Sequence, residues 1–224
     1  MDARDARAER HTRDGIIDTA LSLLEQTGLP DLSMRRLATA LGVQPSALYW
    51  HFENKQELLA AVADRIVAAA QPVAPGSRDE EVAAVAHALR DALLAHRDGA
   101  ETVLSTQALG LGSDAAHLRL AAALVGDASP ADIVPEDVQA DARVILQFIL
   151  GHASLVQQRI QAARFGAFPA GEADIAESTA DDFARGLRML LAGLPAAAPP
   201  DAAGTHDASR AADQPMRSAT PLRQ

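Results

Sequence analysis

The side chains of this sequence best suited to recognition chemistry crowd into one short stretch. Between Ser33 and Lys55 stand Arg35, Gln44, Ser46, Tyr49, His51 and Lys55. An arginine can fork onto a guanine edge or grip a phosphate, and glutamine and serine bond to base edges or phosphate oxygens. Tyr49, His51 and Lys55 suit a sugar-phosphate backbone. The patterns of catalysis are missing. There is no Gly-rich phosphate loop and no nucleophile elbow, and the seven His never pair at i and i+4. With no cysteine, thiolate metal sites and disulfides are excluded. The expectation is a protein that is no enzyme and carries no metal and no cofactor.

Such a cluster needs a rigid frame, and the flanking residues supply one. Residues 10–27 carry Ile16, Ile17, Ala20, Leu21 and Leu24 at helical spacing, ended by Gly28, Leu29 and Pro30. Ser33 is placed to cap a short helix over 34–40, with Leu37 inward. Leu41-Gly42-Val43 makes a tight turn, for which Gly42 allows a positive φ. A third short helix, 44–50, tolerates Pro45 in its first turn. Leu37, Ala38, Leu41, Val43 and Leu48 would hold the pair together. This is the logic of a helix-turn-helix, whose second helix fits the DNA major groove and leads with Gln44, Pro45, Ser46 and Ala47. Ala47 is small enough to meet a thymine methyl. Lys55 opens the next helix, where free backbone N–H groups favour a phosphate.

The rest of the chain reads as all-α. Asn54 starts a helix to Gln71, and Pro72 to Gly76 break it. Helices follow at 78–96, 99–107, 114–126, 136–164 and 173–193, with a turn from Asp127 to Pro135. The longest presents Val138, Ala142, Ile145, Ile149, His152, Val156 and Ile160 along one face. The expected division is a DNA-binding domain over 1–53, a connecting helix over 54–71, a ligand-binding and dimerisation domain over 72–194 and a disordered tail over 195–224.

Composition agrees with this division. The chain has 224 residues, 48 % of them hydrophobic but only 3 % aromatic, so Ala, Leu and Val must fill the core. The net charge of −10 argues against indiscriminate nucleic-acid binding, yet residues 33–55 carry +2. The N-terminus, MDARDARAERHTRD, is charged in both signs and lacks the apolar run of a signal peptide. With no stretch apolar enough for a bilayer, the reading is a cytoplasmic protein without membrane contact.

Leu48-Tyr49-Trp50-His51-Phe52, followed by Asn54-Lys55-Gln56-Glu57-Leu58-Leu59, resembles the signature of the TetR family. Gly28, Leu32-Ser33, Arg36-Leu37-Ala38 and Leu41-Gly42-Val43 match it too. Leu93 to Ala100, Gly151-His152 and Phe183 to Leu194 extend the resemblance toward the tetracycline-repressor branch. It implies a repressor that leaves a palindromic DNA operator on binding a small organic inducer. It also implies a homodimer joined by a four-helix bundle from the two longest C-terminal helices. The rival reading is a helical small-molecule-binding protein without DNA-binding activity.

The resemblance breaks at the drug site. In that branch a histidine of the sixth helix holds the magnesium of a drug–metal complex, and Val103 stands at its position. Gln71, Gln107 and Ile160 replace other contacting residues, and Thr106 alone persists. A more apolar inducer without metal is expected, in a cavity lined by Gln71, Thr106, Gln107, Phe148, His152 and Gln157. Several roles stay open. His152 is either a ligand contact or a core histidine bonded to a carbonyl. Trp50 either meets DNA or packs on the first helix. Asp98 is expected to cap the helix after it. Arg4, Arg7, Arg10 and Arg13 form either a DNA arm or a solvated end.

Overall fold

The computed structural model describes residues 12–126, 136–167 and 170–194. The expected arm at Arg4, Arg7 and Arg10, the turn at 127–135 and the tail at 195–224 lie outside the described residues. Nine helices and no strand occur among the described residues, as the all-α reading requires. No helix among them is long and apolar enough to cross a membrane.

Helix α1 (Arg13–Thr27) begins where the Thr12 hydroxyl accepts the Gly15 N–H at 3.1 Å. It buries Ile16, Ile17, Ala20, Leu23 and Leu24. Helix α2 (Met34–Leu41) is capped by Ser33, whose hydroxyl accepts the Arg36 N–H at 3.2 Å. Gly42 ends it in the left-handed region at φ 69°, which a side chain would resist. Helix α3 (Pro45–Leu48) is shorter than expected, because the chain turns at Tyr49 and Trp50. Helix α4 (Lys55–Ala68) is capped by Asn54, whose carbonyl accepts the Glu57 N–H at 2.9 Å.

Beyond it come α5 (Arg78–Leu94), α6 (Gly99–Ala108), α7 (Ala115–Val125), α8 (Glu136–Arg164) and α9 (Glu172–Gly193). The apolar seams of all nine helices meet in one continuous core, from Ile16 in α1 to Leu191 in α9. Arg65 of α4 ion-pairs with Asp14 at 2.6 Å and with Asp18, fixing α4 against α1. Arg13 stacks on the ring of buried Phe52 with 4.6 Å between guanidinium carbon and ring centre. It is thus part of the helical frame rather than of a free arm.

Candidate nucleic-acid interface and ligand cavity

Burial sorts the helix-turn-helix into an inner and an outer set. Leu37, Ala38, Leu41 and Leu48 are buried, with Val43 partly so. Arg35, Gln44, Ser46, Tyr49 and Trp50 are exposed, while Pro45, Ala47, His51 and Lys55 are half-buried beside them. Trp50 is 90 % exposed, which overturns its packing on the first helix. The turn after α3 carries it outward, and Phe52, two residues on, takes the buried place. The result is an outward edge of one cation pair, two aromatic rings and small polar groups.

The turn between α5 and α6 joins this head to the helices behind it. Asp98 was expected to cap α6, but no capping bond forms from its side chain. One carboxylate oxygen instead accepts the Leu29 N–H at 2.8 Å, and the other accepts from the Gln161 amide. Its backbone is left-handed at φ 54°, a conformation that costs a non-glycine residue energy and persists only where its surroundings hold it. Here the backbone carbonyl also starts α6, accepting from the N–H and hydroxyl of Thr102 at 2.8 Å each. Beside it the Glu25 carboxylate meets His96 Nδ1 at 2.9 Å and the Arg97 N–H at 3.1 Å. Gly28, at φ 80°, admits the clasp: a Cβ there would stand 2.9 Å from the Asp98 carboxylate.

Neither of the two cavities described below gathers the six expected pocket residues: Gln107 lines one and Gln157 the other. Gln71 is exposed, with its amide turned back onto the Ala69 carbonyl. The Thr106 hydroxyl is buried and donates to carbonyls of its own helix, at 3.1 Å to Thr102 and 2.9 Å to Val103. Phe148 stacks on Phe183 of α9 with ring centres 5.3 Å apart. His152 Nε2 donates to the Thr179 carbonyl at 2.9 Å, which is the core-histidine reading. Gln157 accepts the Ala100 N–H and donates to the Leu93 and His96 carbonyls, closing the turn. Each of these polar groups is thus taken up by backbone, within a helix for Thr106 and His152 and at helix ends for Gln157.

A cavity of about 790 Å³ lies one side of these residues, at α6, α7, α8 and the loop Gly110–Asp114. Leu104, Leu111, Leu118, Leu146 and Leu150 make its apolar wall, and Gln107 is its one expected residue. Sequence spacing missed it because its wall belongs to three helices and a loop. The loop is tied to α4: Asp64 accepts from the N–H and the hydroxyl of Ser113, both at 2.7 Å. Arg119 of α7 donates to the Ala70 and Gln71 carbonyls at 3.1 and 2.9 Å, so α4 is held at a second point. A second hollow of about 780 Å³ lies between head and body, where Lys55 and Gln157 both line it. Among the described residues no group of His, Asp and Glu could hold a metal ion.

The sequence model of the bacterial regulatory proteins of the tetR family matches residues 16–62. The chain is 31 % identical over 208 residues to an HTH-type transcriptional regulator of Saccharopolyspora erythraea, spanning 84 % of this chain and 86 % of that one. It is 41 % identical over 102 residues to the class D tetracycline repressor protein of Escherichia coli, but that match spans only 47 % of the relative. Its fold is similar to Mycobacterium smegmatis BioQ, with TM-score 0.71, 37 % identity and coverage of 84 % of this chain and 99 % of that one. BioQ is also solved with its double-stranded DNA operator, at TM-score 0.65, 36 % identity and coverage of 81 % and 96 %. The chain belongs to the tetR family of bacterial regulatory proteins.

Two outcomes follow. Gly28→Ala should lower unfolding stability by about 1–3 kcal/mol in urea titration, through backbone strain and the displaced Asp98 carboxylate. Burial, then the charge of Arg90, holds the His152 pKa below its ordinary 6.5. The unfolded chain therefore binds a proton that the folded chain refuses. This contribution to stability is complete above pH 6.5 and lost as pH falls below it. His152→Gln should flatten the dependence of the urea midpoint on pH in that acid window, and an unchanged slope would assign it elsewhere.

Proposed function

We propose that this chain is a transcriptional repressor that leaves a palindromic operator when a small organic inducer binds. The observation that carries this reading is the outward edge of Arg35, Gln44, Ser46, Tyr49, Trp50, His51 and Lys55. The described structure leaves these side chains unburied on a helix pair whose opposite face is packed solid. Exposed aromatic rings set among cations and small polar groups mark an interaction surface, and duplex DNA fits this one. Pro45 and Ala47 complete the leading turn. The whole reading needs no enzyme chemistry and places the protein in the cytoplasm.

The division of labour is that of a head over 1–53, a connecting helix over 54–71 and a sensing and dimerising body over 72–194. The body dimerises through α8 and α9 as a four-helix bundle. Val144 and Leu155, eleven residues apart and so on one side of α8, are exposed, as is Met189 on α9. A twofold pair would set two α3 helices about one DNA turn apart, ~34 Å, on matched half-sites. Ligand in the cavity of α6, α7 and α8 shifts the loop at Ser113, and Asp64 passes that shift to α4. Release follows only as far as the inducer prefers the non-binding state, typically ~1–3 kcal/mol.

Arg35→Ala with Tyr49→Ala tests the edge. Each lost contact is worth about 1–3 kcal/mol and counts twice in a dimer, so operator affinity should fall ~100-fold or more. Circular dichroism and sedimentation should show helicity and dimer unchanged, and unaltered gel-shift affinity would refute the assignment. The buried Val103 offers no lone pair to a metal, so tetracycline with magnesium should give no metal-dependent heat in calorimetry. A magnesium-dependent signal would contradict the metal-free inducer.

A further inference from the structure

We infer that the cavity of α6, α7 and α8 takes an organic acid, with its carboxylate at Arg143 and its apolar body against the leucines. This rests on the reading of that cavity as the inducer site and names the class of inducer. The wall along α8 is a polar row at one-turn steps, Gln139, Arg143 and Gln147. Arg143 is the cavity's one cationic Lys or Arg. It is exposed and forms no ion pair with any described acid, whereas Arg78, Arg90 and Arg164 of this body pair with Asp79, Asp91 and Glu172. An unmatched guanidinium at the mouth of an apolar cavity is a fork without its carboxylate.

The neighbouring groups are set to help it. His117 Nε2–H donates to the Gln139 carbonyl, which leaves the Gln139 amide NH₂ as a donor in the wall. Gln107 and Gln147 add amides that make no hydrogen bond among the described residues. The wall's one acid, Asp114, sits at the start of α7, where the positive helix end offsets its charge. Across from the row stand Leu104, Leu111 and Leu118, all partly exposed, with Leu146 and Leu150 beneath. A volume of about 790 Å³ suits a fused-ring or medium-chain acid.

The test uses matched pairs that differ only in charge: naphthylacetic acid with naphthylacetamide, and decanoic acid with decanamide. Calorimetry on the full chain should give at least one acid ~10-fold tighter than its amide, the margin of a charge-assisted over a neutral hydrogen bond. In Arg143→Gln that ratio should fall to near one, and Arg143→Lys should restore part of it. Equal affinity of acid and amide in the wild type overturns the inference, as does a preference that survives Arg143→Gln or no binding at millimolar concentration. The wild-type ratio decides even if a variant folds poorly. Gel shift on the same preparation separates the readings. DNA binding without acid preference sinks only this inference, whereas acid preference without DNA binding sinks only the repressor reading.

Discussion

One aspartate holds the molecule in register. Asp98 sits in a left-handed backbone conformation between α5 and α6, and its two carboxylate oxygens reach in opposite directions. One takes the N–H that follows α1, and the other takes the amide of Gln161 in α8. The helix-turn-helix is thereby tied to the longest helix of the body through a single side chain. Gln157, one turn before Gln161, closes the same turn from below by bonding the Ala100 N–H and two carbonyls. A carboxylate shared by two neutral donors is strong and directional, and the absent side chain at Gly28 is what lets it come so close.

The connecting helix α4 then becomes a lever with fixed points. Its first turn lies under the outward edge, through Lys55. Near its C-terminal end it is pinned to α1 by Arg65 and to the cavity loop by Asp64, and Arg119 holds the carbonyls of Ala70 and Gln71 just beyond it. The exposed loop at Ser113 touches α4 through the two hydrogen bonds to Asp64. In the proposed coupling of cavity to head, this hydrogen-bonded carboxylate is the link.

The fold was legible in the sequence wherever burial follows helical spacing. Ile16, Ile17 and Leu24 in α1, Leu37 and Leu48 in the turn motif, and Ile145 and Ile149 in α8 lie where periodicity put them. The caps Ser33 and Asn54 were legible for the same local reason. What failed depends on distance in sequence. Asp98 looked like a cap because a cap is the nearest use for it, while its true partners lie 69 and 63 residues away. His152 and Gln157 looked like ligand contacts because polar groups on apolar faces invite a partner, and that partner is backbone. Trp50 stayed open between DNA and the first helix, because its size argues for burial and only the turn after α3 carries it outward. The cavity itself was illegible, since Gly110 to Asp114 reads as a plain loop until α7 and α8 close over it.

That the outward edge reads duplex DNA as a twofold pair is tested most directly by selecting bound fragments from a random double-stranded pool with the purified full chain. The enriched sequences should converge on an inverted repeat whose half-sites are centred about one helical turn apart. A pool that stays random at moderate salt, or that converges on a single unrepeated site, would contradict it.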